Sequence, residues 1–231
     1  MTRSMPRLAT MARIFLTVLS LALWGSASAA TPLSPQPAAD SRVLRLEHAL
    51  SASAQSHLVA AALAPSGGQH VDIYTADADG ASFTPTGQIK DPAFASSGVC
   101  CGTLYELPRQ VGELPAGTLL WAGSAGNTAA DQDMTICIYR SADEGQSWNF
   151  LAQVQSPTPG PIWEPEFTIG QDGALILFYS DETQSAQYSQ LIRKVRSYDG
   201  VNWQDSARVV ASSEATGPAC RLSAVLPMGP G

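Results

Sequence analysis

The side chains best suited to acid–base chemistry gather in one run of the 231-residue chain, Ile162-Trp163-Glu164-Pro165-Glu166. A carboxyl beside an indole is partly screened from water, which raises its proton affinity and leaves a flat ring free to stack on a sugar face. Pro165 should hold Glu164 extended, and an extended segment would put Glu166 on the same face. That spacing alone does not make a catalytic pair, because paired carboxyls normally approach a substrate from different strands. A structural reading of Glu164, as the cap of a strand's start, stands beside the catalytic one. Downstream, Tyr179 and Asp181 end a long apolar run and are candidates for substrate contact, although turn solvation explains Asp181 and Glu182 better. A second acidic group, Asp143-Glu144, sits in Ser141-Ala-Asp-Glu-Gly-Gln-Ser-Trp148. Here a structural reading dominates: Asp143 braces a turn and Glu144 is solvated.

Metal and cofactor chemistry find little support. The three histidines (His48, His57, His70) are scattered, and the four cysteines (Cys100, Cys101, Cys137, Cys220) form no C-x-x-C pair. Neighbouring cysteines in a strand point apart, which leaves a strained Cys100–Cys101 bridge and a bridge from either to Cys137 both open.

The elements that must position these residues emerge from internal repetition. Segments starting at Val71, Ile136 and Ile192 share one pattern: an alternating run, a Ser/Thr-Asp-Gly turn, an aromatic, and a second alternating run. The aromatics Phe83, Trp148 and Trp203 are 65 and 55 residues apart. In each turn the aspartate (Asp79, Asp143, Asp199) can accept backbone N–H groups. The glycine (Gly80, Gly145, Gly200) supplies a positive φ, and Ser141 precedes the middle copy. A second hairpin interleaves with the first, from Gly102 to Gly123 and from Pro165 to Glu182, with a weaker version at His57–Gln69 whose alanines carry a turn or two of helical character. Two hairpins per period make four strands, the unit of a β-propeller; a β-sandwich gives no reason for equal repeats.

Arg3, Arg7 and Arg13 precede an apolar run from Ile14 to Trp24 and a small-residue stretch ending at Ala29-Ala30. This describes a secretory signal peptide over 1–30, cleaved near Ala29 or Ala30, and implies a secreted or periplasmic protein. Residues 31–41 read as a proline-rich linker and 42–231 as the domain. Without the leader's three arginines, ten basic residues face twenty acidic ones, a net of −10. Such a chain is a poor match for nucleic acid or an anionic membrane, and no later run is long enough to cross a bilayer.

Ser-Ala-Asp-Glu-Gly-Gln-Ser-Trp fits the Asp-box, or BNR, pattern, and the segments at Asp79 and Asp199 are degenerate copies. The chain therefore resembles the sialidase (neuraminidase) superfamily of six-bladed propellers. "IWEPEFTIGQDGALILFYSDE" and "SGVCCGTLYELP" resemble its exo-α-1,5-L-arabinanase branch. The resemblance implies an all-β propeller, Glu164 as general acid/base, a glycan as partner and no cofactor. Sialidases proper need an arginine triad, for which the chain has few candidates.

Six blades need well over three hundred residues, whereas this chain holds about three and the opening of a fourth. The reading is then the N-terminal half of a glycoside hydrolase, inactive alone because a second carboxylate is missing. The alternative is a non-catalytic Asp-box propeller binding glycan or protein. An open sheet edge on the last blade would invite self-association.

Overall fold

The computed structural model describes residues 32–34, 37–64, 69–126 and 134–212. The expected leader, Cys220 and the segment after Ser212 lie outside these residues. Twelve strands form three four-stranded antiparallel sheets, each a simple meander. The first sheet is β1 (Ala39–Arg45), β2 (Leu58–Ala64), β3 (His70–Ala76) and β4 (Thr84–Ile89). The second is β5 (Val99–Glu106), β6 (Leu119–Ala125), β7 (Thr135–Ser141) and β8 (Asn149–Gln155). The third is β9 (Ile162–Ile169), β10 (Leu175–Asp181), β11 (Gln190–Ser197) and β12 (Gln204–Ser212). The inner strand β5 lies between β1 and β9, and each outermost strand leads to the next innermost one. This is the arrangement of successive blades in part of a β-propeller.

The repeat explains why the strands form. The second strand of the first and second blades is covered on both faces, so it reads as a continuous apolar run. All seven residues of β6 are buried, and the alternation sends Leu119 and Trp121 toward the first blade and Leu120 and Ala122 toward the third. The core therefore lies between blades. Val59, Leu63 and Ile73 pack against Val99, Leu104 and Trp121. Ile136, Ile138 and Val154 pack against Phe167, Leu175 and Leu177. The Trp121 indole fits a slot that exists because Gly102 and Gly123 have no Cβ; a methyl group there would stand 2.7 and 2.3 Å from the ring.

Two expectations change. The alanine-rich Leu58–Ala64 is strand throughout, because both of its faces are buried. The first strand begins at Ala39, inside the stretch read as linker. A short helix, α1 (Pro92–Ser97), joins the first two blades; the Asp91 side chain caps it by accepting from the Ala93 N–H at 2.8 Å.

The Ser-x-Asp turns of the second and third blades lock neighbouring blades together. In the second blade, Ser141 Oγ donates to Asp143 at 2.8 Å and accepts from the Gly145 N–H at 2.9 Å. In the third, Ser197 Oγ donates to Asp199 at 2.9 Å and accepts from the Gly200 N–H at 2.8 Å. The first-blade copy has Ala76 in place of serine, and Asp79 accepts only the Ala81 N–H at 3.0 Å. The second and third turns rest on the preceding blade. The Gly145 and Gln146 carbonyls lie over Gly87, and Asp199 lies over Gly112. Glu144 is not merely solvated, because it accepts the Ser51 N–H of the first blade at 2.8 Å. Trp148 closes its own turn by donating to the Gly145 carbonyl at 3.0 Å, whereas Trp203 packs into the second inter-blade core.

Candidate active site

Each inner strand carries the same irregularity near its start. Ala39 pairs with Leu63 and Arg42 with Ala61; Cys100 with Ser124 and Thr103 with Ala122; Trp163 with Ser180 and Glu166 with Phe178. Three steps on the inner strand meet two on its partner, so each strand holds one extra residue, a β-bulge. The second residue of each bulge is left-handed, with φ of 48° at Asp40, 58° at Cys101 and 55° at Glu164. Non-glycine residues occupy that region at a cost, and bulges commonly re-aim side chains beside active sites.

The bulges are linked. The Cys101 N–H donates to the Asp40 carboxylate at 2.9 Å, and the Glu164 N–H faces Cys101 Sγ. Each blade thus offers its backbone to the equivalent side chain of the preceding blade. The Glu164 side chain is the last of this series, and its Oε2 is buried with no hydrogen-bond partner among the described residues. Glu164 is not in the extended conformation expected before proline, because the bulge fixes its left-handed φ. Glu166 consequently does not continue a regular alternation with it. Its Oε2 accepts from Thr103 Oγ1 at 2.9 Å, tying the third blade to the second.

Trp163 stands at the pocket edge, its indole N–H donating to Glu182 at 3.0 Å. The pocket, about 300 Å³, is lined by Trp163, Cys100, Val99, Met134, Gln69 and Ser124. Ser124 Oγ is buried in this wall with no partner among the described residues. A flat ring, a sulfur surface and an unsatisfied hydroxyl suit the alternately apolar and polar faces of a sugar. A larger concavity of about 660 Å³ lies on the first blade near His70, Asp72 and Gln88, away from the bulges. Its polar groups already engage one another, with Gln88 donating to Asp72 at 2.6 Å.

Tyr179 and Asp181 do not reach this site. Tyr179 is wholly buried in the second inter-blade core, and burial pushes its hydroxyl up to about 12. Asp181 is also buried; it accepts from Arg193 Nε at 2.7 Å, Thr183 Oγ1 at 2.6 Å, the Thr183 N–H at 3.0 Å and Ser156 Oγ at 3.1 Å. Burial pushes its pKa up, but the Thr183 and Arg193 hydrogen bonds outweigh that and hold it below the usual range. Both are structural residues. Asp40 is the residue that sequence reasoning missed, because it fell in the supposed linker. Among the described residues no group of three or more His, Cys, Asp or Glu side chains could hold a metal, and no helix is long and apolar enough to cross a membrane.

The all-β fold has counterparts among solved glycoside hydrolases. The α-L-arabinanase of Penicillium chrysogenum, solved with arabinobiose, superposes with a TM-score of 0.64 at 25% identity, over 76% of this chain and 50% of that one. The GH93 α-L-arabinofuranosidase of Fusarium graminearum, also with arabinobiose, gives 0.63 at 24% identity, over 77% of this chain and 50% of that one. A mutant of the Fusarium enzyme with an iminosugar inhibitor gives 0.63 at 25% identity, over 79% and 52%. This chain spans about half the length of these proteins. No family model matches the sequence, and no curated protein matches it. In fold, the chain is glycoside hydrolase-like.

Proposed function

We propose that this chain contributes three blades of a secreted, arabinanase-like propeller of the sialidase superfamily, with the rim around Glu164 as its site for the ends of an arabinose-containing glycan. The observation that carries the reading is the Glu164 carboxyl, set on the left-handed bulge residue next to Trp163, with one oxygen buried and unpartnered among the described residues. Similarity to proteins solved with arabinobiose supports the substrate class. In this reading Trp163 stacks on the sugar and Glu164 protonates the departing glycosidic oxygen. Hydrolysis needs a second carboxyl group. Glu166 and Asp40 already hold Thr103 and the Cys101 N–H, so neither is free to serve as the second carboxyl, and the expected outcome is that the 231-residue chain binds without turning over.

A second reading is favoured by the bulge series itself. Asp40 uses its carboxylate to hold the backbone of the next blade, and Glu164 would do the same in a non-catalytic glycan-binding propeller. Glu164→Gln separates the two, because an amide oxygen still accepts an N–H but cannot deliver a carboxyl proton. Arabinobiose binding by calorimetry and arabinose release from an aryl arabinofuranoside are the measurements. Binding lost in Trp163→Ala supports the site. Turnover that Glu164→Gln abolishes while binding persists makes Glu164 the acid and overturns the expected inactivity. Absence of arabinobiose binding by the parent chain rejects the substrate class.

A further inference from the structure

We propose that Cys100 and Cys101 form a two-electron dithiol–disulfide couple on the wall of the rim pocket, a modification site independent of the carbohydrate reading. Their Sγ atoms lie 2.6 Å apart. Neighbours in a regular strand point to opposite faces; here the left-handed backbone of Cys101 and the extra bulge residue turn both side chains together. Both sulfurs are only partly buried, and Cys100 borders the pocket beside Trp163. Cys137 is no competitor. It sits on β7, opposite Gly123 of β6, two strands from Cys100. At ~4.8 Å per strand its Cα is roughly 10 Å away, beyond the usual disulfide span.

The two sulfurs have different roles. Either sulfur can donate to the other; the bond shared with Cys100 and the Glu164 N–H that faces Cys101 Sγ lower the Cys101 pKa, although burial and the Asp40 and Glu164 charges oppose the effect. The shared bond, together with burial, raises Cys100. Cys101 is therefore the attacking thiol. The oxidant is an external disulfide, RSSR. The Cys101 thiolate attacks one of its sulfurs, forming Cys101–S–S–R and releasing RS⁻. The Cys100 thiol then gives its proton to RS⁻ and attacks Cys101 Sγ, expelling the second RS⁻. Two cysteine thiols lose two electrons and two protons, and RSSR becomes two RSH. The product ring presents an S–S edge to the pocket in place of two hydrogen-bonding thiols.

The test treats reduced full-length chain with oxidised glutathione, folded and in urea, then alkylates it, digests it with trypsin and weighs the peptides. Cleavage after Lys90 and Arg109 releases residues 91–109, which contain both cysteines and no others. The expected product from folded chain is this peptide about 2 Da lighter than the dithiol and unalkylated, whereas the urea-unfolded chain gives glutathione adducts. In Cys100→Ser, Cys101 should stop at a stable glutathione adduct. In Cys101→Ser, Cys100 should react about tenfold more slowly than Cys101 does in Cys100→Ser. Two alkyl groups or two glutathiones on 91–109 from folded chain, or linkage to the peptide of Cys137 or Cys220, would overturn the couple. Equal rates in the two variants would overturn the assignment of roles.

Discussion

Replacing Gly87 with alanine adds one methyl group where the second blade's Ser141–Trp148 turn rests on the first blade. A Cβ at Gly87 would lie 2.2 Å from the Gly145 carbonyl oxygen and 2.8 Å from that of Gln146. Both are backbone atoms, which no rotamer change can move aside. The turn has to retreat by about 1 Å to restore ordinary contact, and its retreat stretches the Glu144–Ser51 hydrogen bond. Overpacking of this kind costs about 1–3 kcal/mol, and a lost bond from a backbone N–H to a carboxylate about 1 kcal/mol more. We expect Gly87→Ala to lose about 2–4 kcal/mol, which for a domain of this size lowers Tm by roughly 4–16 °C. The sign is diagnostic, because alanine at a glycine of ordinary backbone conformation would otherwise stabilise by ~0.4–1 kcal/mol. Thermal and urea unfolding followed by far-UV circular dichroism measure the effect. In Asp143→Ala the turn is already loosened, so the double variant should fall short of additivity by at least ~0.5 kcal/mol. Full stability of Gly87→Ala, or strict additivity, would refute the idea that this turn latches the blades.

Ser141→Ala should cost about 1 kcal/mol in urea unfolding, since it removes one bond to Asp143 and one from Gly145, while Asp79→Ala in the degenerate first-blade turn stays near neutral. Arg193→Met leaves Asp181 buried without its cation and should cost about 3–5 kcal/mol; a loss under ~1 kcal/mol would show that Thr183 and Ser156 suffice. Asp181, Asp143 and Asp199 all have depressed pKa values: for Asp181 and Asp143 hydrogen bonds outweigh burial, and for Asp199 the Asn202 contacts dominate. Their stabilisation is present above the unfolded carboxylate value near ~3.9 and is lost as pH falls through the folded values. The urea midpoint should accordingly hold from pH 7 to about pH 5 and drop below about pH 4, and an unchanged midpoint at pH 3 contradicts this.

The blade repeat was legible because its covered strands are apolar without interruption and its turns carry Ser-x-Asp spacing. The inter-blade role of those turns was not, since spacing alone does not reveal what Gly87 or Ser51 touches. Strand β1 escaped because "ADSRVLR" has almost no buried face. The Asp91-Pro92 pair did carry a helix-start signature. Tyr179 and Asp181 share a face with Leu175 and Leu177 by the two-residue period of a strand, so alternation already pointed both into the core. The Pro165 rule failed at Glu164 because a bulge, set by pairing with β10, overrides a dipeptide preference.

Asp40, Cys101 and Glu164 occupy one backbone socket used three times with three side chains: a short carboxylate, a thiol and a longer carboxylate. Because the left-handed kink belongs to the strand and not to any one side chain, the socket is interchangeable. A reactive group can move from one blade to another by a single substitution, with no new loop and no change of fold.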